Sequence, residues 1–320
     1  MEFDKSKKIL VIGRAGMDIY PEPPGTKITD VKDFSTHLGG SAANTCVALS
    51  KLGVSSDLVT CISDDAIGEY ILNKLKEFKV GSRFCRKVDK VFQTQLAVVE
   101  TILKNNQSIL YRNNSCDLQL NKDDIDQIDF QDYSAVFISG TALSSEPSRE
   151  AVFYASQKAS KSNIPLIIDL DYRPYNWESD QMKSEIYQKI MSEMDIIIGN
   201  DLEFNIADNS SDGFHLTKNF IEKKPSIIIY KMGEKGSKVF TKEKEFEFGI
   251  FKVDAIKPTG AGDAFNGGFI SSLYKGMSLD ESVKRGSANA ALVVTKVGCS
   301  SAMPDSEELE KFINQQKMEN

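Results

Sequence analysis

The sequence predicts an α/β fold: a mostly parallel central sheet with helices on both faces, plus a small β-sheet lid. Three observations carry this expectation. Short apolar runs at 136–138, 166–168 and 196–198 alternate with longer helical patterns, and strands that are apolar throughout belong to parallel sheets covered on both faces. Each run ends beside a glycine or polar residue, which is where ligands gather in such sheets. Between residues 86 and 113 the alternation stops, and two extended stretches flank a polar turn in "VFQTQLAVVETILKNNQSILYRN". That is the pattern of a hairpin rather than a β-α-β unit.

Taken in order, "KILVIGRAGMDIY" is the first strand, and the prolines and glycine of "PEPPG" interrupt any regular element after it. In "FSTHLGGSAANTCVALSKLGV" a glycine pair precedes a helix whose apolar face includes Val47, Ala48 and Leu52. "SSDLVTCISD" is a strand, and "DDAIGEYILNKLKEF" a helix with acids at its start and lysines near its end, as the helix dipole favours. Extended material at about 14–38 and the stretch at about 86–113 then form the lid. The alternation resumes with "SAVFISG", a helix through "EPSREAVFYASQKASKS", the strand of "IPLIIDLDYRP", a helix around "QMKSEIYQKIMSEM" and the strand of "DIIIGN". "SIIIYKMGEKGSKVF" reads as strand, turn and return strand, and "KEFEFGIFKV" as a further extended stretch. Helices follow at "AFNGGFISSLYKG", "SLDESVKRGSANAALVVTKVG" and "DSEELEKFINQ".

One domain spanning residues 1–320 accommodates all of these elements, and 41% hydrophobic with 27% charged residues is ordinary for a globular chain. A formal net charge of -7 gives no reason to expect nucleic acid as a general partner. The start "MEFDKSKKILVIG" lacks a signal-peptide core, and no apolar run approaches the roughly 20 residues of a membrane span, so the expected location is cytoplasmic. The five cysteines are scattered and odd in number, and the two histidines lie far apart. Neither set forms a metal-site pattern.

The chemistry concentrates in glycine-rich junctions. G-x-x-x-x-G-K-[ST] and a Rossmann fingerprint are absent, but "TGAGD" stands between extended sequence and a helix. There the amides of Gly260, Ala261 and Gly262 would face an oxyanion, and Asp263 would take the proton of an attacking hydroxyl. Together they suit phosphoryl transfer; the plainer role of Asp263 is a charge at a helix N-terminus. Asp18 can accept from two sugar hydroxyls or simply make a turn. Gly39 and Gly40 permit close backbone approach, and Asn44 donates and accepts. In "DLDYRP", Asp171 and Arg173 either meet a ligand or pair with each other. Arg112 closes over the ligand or points to solvent. Asn200 and Glu203 have capping-box spacing, and alternatively Asn200 reaches phosphate while Glu203 holds water on Mg2+. Gly233 and Gly236, with Lys231 nearby, form either a nucleotide-contacting turn or a plain hairpin.

The order of "GRAGMD", "LGGSAAN", "GNDLEF", "KMGEKG" and "TGAGDAFNGG" resembles the ribokinase-like, or PfkB, carbohydrate kinase family over essentially the whole chain. The resemblance implies ATP and Mg2+ as cofactors. It makes Asp263 the base and Gly260, Ala261 and Gly262 the oxyanion hole. It implies sugar contacts at Asp18, Gly39, Gly40 and Asn44, and nucleotide or magnesium-associated contacts at Asn200, Glu203, Lys231, Gly233, Gly236 and, on the adenine side, Asn289. "LYRNNSCDLQL", "DLDYRPYNW" and "GCSSAMPDSEEL" are most similar to the IolC group of 5-dehydro-2-deoxygluconokinases, which implies phosphorylation of the terminal 6-hydroxyl of 5-dehydro-2-deoxy-D-gluconate in myo-inositol degradation. Arg112, Asp171 and Arg173 carry over as substrate contacts. A 2-keto-3-deoxygluconate kinase and a fructokinase are the alternative enzymes, and a catalytically inactive sugar-binding regulator is the alternative of another class. A homodimer through the lid is implied by the same resemblance. One departure stands out: many members have D-T-x-G-A-G-D, whereas this chain reads "KPTGAGD", with Lys257 at the acid's position and Pro258 after it. Any monovalent-cation or loop-anchoring role of that acid does not carry over.

Overall fold

The computed structural model describes residues 2–177 and 179–316. The first half of the chain runs β1 (Lys8–Ile12), β2 (Gly16–Glu22), β3 (Asp33–Gly39), α1 (Ser41–Lys51), β4 (Ser56–Ser63), α2 (Ala66–Glu77), β5 (Gly81–Val88), β6 (Gln95–Val99), β7 (Ser108–Tyr111), α3 (Lys122–Asp126), β8 (Tyr133–Ser139) and α4 (Ser148–Lys161). The second runs β9 (Leu166–Asp169), α5 (Asp180–Met191), β10 (Ile196–Asn200), α6 (Asp201–Asp208), α7 (Phe214–Ile221), β11 (Ile227–Lys231), β12 (Ser237–Thr241), β13 (Glu245–Phe248), α8 (Ala261–Tyr274), α9 (Leu279–Val293) and α10 (Ser306–Gln315).

The large sheet has the order β13-β12-β11-β10-β9-β8-β1-β4-β5. Every pair from β11 to β5 is parallel, and β12 and β13 extend it antiparallel. The continuous apolar runs have a simple cause: successive side chains point to opposite faces, and both faces are covered. Leu10, Ile12, Val136, Ile138, Leu166 and Ile168 pack on one side with α4, α5 and α7 through Val152, Tyr187 and Phe220. Ile9, Val11, Phe137, Ile167 and Ile198 pack on the other with α1, α2 and α8 through Val47, Ile71 and Phe269. Full burial of each such side chain contributes roughly 1.5–3 kcal/mol.

The second sheet has the order β3-β2-β6-β7, with β2 and β6 parallel and the outer pairs antiparallel. "KILVIGRAGMDIY" is therefore not one strand. The chain leaves the large sheet at Ile12 and joins the small one at Gly16. Likewise the small-sheet material of the second segment starts at Gln95, because Gly81–Val88 is the edge strand of the large sheet, paired with β4.

Candidate active site

Because β9, β10 and β11 run parallel, their last residues, Asp169, Asn200 and Lys231, arrive at one edge of the sheet. The small sheet lies across that edge. Between them is a cleft of about 500 Å³, lined by Asp18 and Leu110 from the small sheet, by those strand ends, and by Gly260, Gly262 and Asp263 at the start of α8.

Gly260 caps α8 in the left-handed region, φ 87°, with no side-chain cap. The first bond of the helical ladder runs from the Ala264 amide to the Gly260 carbonyl at 3.0 Å. The amides of Ala261, Gly262 and Asp263 thus precede the ladder, as the opening amides of any helix do. Asp263 itself accepts from Asn44 Nδ2 at 2.9 Å. Burial, and then the nearby Asp171, push its carboxyl up to about 7, against the opposing pull of Asn44, Arg14 and Arg173. A carboxylate so placed is a base near neutral pH beside free donors, the arrangement that proton removal and charge stabilisation require.

Asn44 is set by the glycine pair. Gly40 has φ 90°, and a Cβ there would lie 2.6 Å from the Arg14 carbonyl oxygen; one on Gly39 would lie 2.0 Å from Asp18 Oδ1. The glycines therefore bring α1 and the small sheet against the cleft wall. Asp18 is buried, and that burial pushes it up to about 6 despite Arg14. Tyr20 Oη is 3.4 Å from Asp18 Oδ2.

At the strand ends, Asp169 is ion-paired with Lys231 at 2.9 Å and accepts from Asn266 Nδ2 at 2.6 Å. Asp171 pairs with Arg173 at 3.0 Å and accepts from Ser139 Oγ at 2.8 Å. Burial alone would raise the Asp171 carboxyl, but Arg173 and Arg14 outweigh it and hold it below the usual range. Asn200 and Glu203 form the reciprocal cap: the Glu203 amide donates to Asn200 Oδ1 at 2.9 Å, and the Asn200 amide donates to Glu203 Oε2 at 2.7 Å. Both residues also line the cleft, so the capping reading and the ligand-facing one are compatible. Burial and Asp169 push the Glu203 carboxyl up to about 7.

Other expected residues lie outside the lining. Arg112 is buried in an ion pair with Asp117 at 2.6 Å and donates to the Thr141 carbonyl at 3.1 Å. Asn289 is buried and donates to the Ala264 carbonyl at 2.6 Å, joining α9 to α8. Gly233 and Gly236 shape the β11–β12 turn with φ 59° and 83°, and a Cβ on Gly236 would lie 1.9 Å from the Phe248 carbonyl oxygen. Two residues of consequence were not singled out from the sequence for the site: Asp169, and Arg14, which is 7% exposed and lines the cleft. Their signal was a charge at the exit of a buried strand.

Lys257 is fully buried. Its ammonium donates to the carbonyls of Thr259 at 2.6 Å and Val293 at 3.3 Å, tying the loop before α8 to the end of α9. Burial lowers its pKa.

Among the described residues no three His, Cys, Asp or Glu side chains converge as a metal cage. Magnesium is commonly held by one or two carboxylates, waters and phosphate oxygens instead. Glu203 and Asp169, both on the cleft wall, fit that kind of site. Among the described residues no helix is long and apolar enough to cross a membrane.

Residues 6–306 match the profile of the pfkB family carbohydrate kinases. A 5-dehydro-2-deoxygluconokinase from Photobacterium profundum is 36% identical over 319 residues, covering 98% of this chain and 96% of that one. A second, from Clostridium perfringens, is 34% identical over 328 residues, covering 100% and 97%. Among solved structures, a fructokinase double mutant from Vibrio cholerae O395, in its fructose, ADP and potassium ion bound form, superposes with a TM-score of 0.85 at 22% identity, covering 97% of this chain and 99% of that one. The likeness is full-length in sequence and in fold, and the chain belongs to the pfkB family of carbohydrate kinases.

Proposed function

We propose that the protein is an ATP-dependent 5-dehydro-2-deoxygluconokinase that phosphorylates the terminal 6-hydroxyl of 5-dehydro-2-deoxy-D-gluconate in myo-inositol degradation. The carrying observation is full-length similarity to kinases of that name, and a carboxylate at the free N-terminus of α8 supplies the chemistry. ATP would supply the phosphoryl group, and Glu203 would hold, through water, a Mg2+ ion whose charge would screen the phosphates.

Asp263 removes the proton of the attacking hydroxyl, and Asn44 aims its carboxylate. The amides of Gly260, Ala261 and Gly262, as the family pattern assigns them, face the transferring group. Asp18, with the backbone at Gly39 and Gly40, holds sugar hydroxyls under the small sheet, which acts as the lid. Asp171 and Arg173 meet the sugar as a pair. Asn200, Lys231 and the turn of Gly233 and Gly236 serve the nucleotide side; Asn289 supports it from behind α8, and Arg112 braces the loop that follows the lid.

The test is ATP-dependent phosphorylation of 5-dehydro-2-deoxygluconate, 2-keto-3-deoxygluconate and fructose by the purified protein. The expected result is the highest kcat/KM on the first. A higher value on another sugar would reassign the substrate, and activity on none would favour a sugar-binding regulator.

A homodimer is proposed through the lid edges. β3 and β7 end the small sheet, and Phe34, Ile109 and Tyr111 on them are 46%, 39% and 61% exposed; open edge strands invite pairing. Light scattering at the mass of a single 35.5 kDa chain across working concentrations would remove this contact.

A further inference from the structure

The cationic side chains lining the cleft are Arg14, Arg173 and Lys231, and two of them are already neutralised. Arg173 is ion-paired with Asp171 at 3.0 Å and donates to the Tyr172 carbonyl at 2.7 Å. Lys231 is ion-paired with Asp169 at 2.9 Å. Arg112, behind the wall, is likewise spent on Asp117. Arg14 differs: among the described residues no side-chain hydrogen bond or ion pair engages its guanidinium, and its Nε, like that of Arg112, is buried without a partner. A buried guanidinium with unmet donors is costly. The charges near it are the carboxylates of Asp18, Asp117, Asp171 and Asp263 and the guanidinium groups of Arg112 and Arg173, and none of the carboxylates is ion-paired with it.

We infer that Arg14 is the group that reads the carboxylate of the sugar acid. The inference rests on the proposed function and adds to it the reason an acid would be chosen over a neutral sugar. A guanidinium presents a planar fork of donors that matches a carboxylate and compensates its charge; a sugar hydroxyl offers neither the second acceptor nor the charge. Arg14 sits on the link between the two sheets, at the small-sheet side with Asp18, whereas the free amides and the base lie at α8. In this reading a sugar acid lies along the cleft with its carboxylate at Arg14 and its far hydroxyl at Asp263, near enough for the guanidinium to act on the base as well. The one competing oxyanion is the transferring phosphoryl group itself.

The experiment compares Arg14→Gln and Arg14→Lys with the unaltered enzyme on two substrates: 5-dehydro-2-deoxygluconate, and the uncharged hexulose with a hydroxymethyl group in place of the carboxylate. At about pH 9, where Asp263 stays ionised even without the pull of Arg14, kcat/KM of Arg14→Gln on the acid is expected to fall on the order of 100-fold, chiefly through KM, with the uncharged substrate losing less than about tenfold. Arg14→Lys keeps the charge but loses the fork, and an intermediate loss confined to the acid is expected. Equal losses on both substrates, carried in kcat, would overturn the inference in favour of a phosphoryl contact, and unchanged selectivity would overturn it outright. If Arg14→Gln does not fold, the two rates of Arg14→Lys decide by the same comparison. An unaltered enzyme that prefers 2-keto-3-deoxygluconate would overturn the substrate reading alone, because the comparison can be repeated on that acid. One that uses fructose alone would overturn both.

Discussion

Replacing Asp263 by Asn is expected to lower turnover roughly 100- to 10,000-fold while leaving sugar binding close to that of the unaltered enzyme. The substitution keeps the shape and lets the new amide oxygen accept from Asn44, now 2.9 Å from Oδ2. The other side-chain position becomes a donor without a lone pair for the hydroxyl proton. The same group sets the pH profile. Its carboxyl is pushed up to about 7, and a base must be ionised to act, so kcat/KM should fall as pH drops below about 7, by about tenfold per unit, and level off above it. Glu203 is also pushed to about 7, and Glu203→Gln distinguishes the two: the acid limb should survive that change. Near-normal turnover in Asp263→Asn, or an acid limb lost with Glu203→Gln, would refute the assignment.

The second large effect is expected at Lys257. Its ammonium ties the Thr259 carbonyl, one residue before the Gly260 cap of α8, to the last turn of α9 at Val293, beside backbone bonds from the Ile256 and Lys257 amides to the Val294 carbonyl at 2.8 and 3.4 Å. Lys257→Met preserves most of the volume but leaves the Thr259 carbonyl facing an apolar tip, at a cost of about 1–3 kcal/mol, while the Val293 carbonyl keeps the Lys296 amide at 3.3 Å. The loss of the buried charge's own desolvation offsets part of this. We expect turnover to fall by about tenfold or more, since each 1.4 kcal/mol of lost preorganisation is a factor of ten, with KM for the sugar little changed. Because the ammonium already occupies the place between those carbonyls, the unaltered enzyme should run equally fast in potassium and sodium buffers. Added ammonium ions should restore part of the turnover of Lys257→Met alone. A variant with unaltered turnover would show that the loop holds its shape without the ammonium.

What was legible in the sequence follows from where the physics is local. β1, β8, β9 and β10 are buried on both faces, so their apolar runs announced them. α8 and the glycines before it were visible because a helix start without a capping side chain stands out. β5 was missed: "GSRFCRKV" is half-exposed at a sheet edge and mixes charge with apolar residues. The break between β1 and β2 went unseen because the chain passes between sheets without a breaker other than glycine. The roles of Arg14 and Arg112 were illegible for a different reason. One arginine looks like another until Asp117 is found ion-paired with Arg112 while, among the described residues, no carboxylate is ion-paired with Arg14 although several lie near it. The capping box at Asn200 and Glu203 was readable from spacing, but only folding put that box on the cleft wall.

Asp18, Glu203 and Asp263 share a property whose effect is collective. Their carboxyls are pushed up to about 6, 7 and 7; near neutral pH Asp18 is mostly ionised, but Glu203 and Asp263 are each protonated about half the time, so the resting cleft carries fewer negative charges than its composition suggests. A nucleotide and a sugar acid, both anions, meet less repulsion on the way in. If magnesium comes with the nucleotide, as proposed, its charge would favour the ionised carboxylates. Loading the cleft would then be coupled to the release of protons, and the proposed base would be armed by the same event that delivers the phosphoryl group.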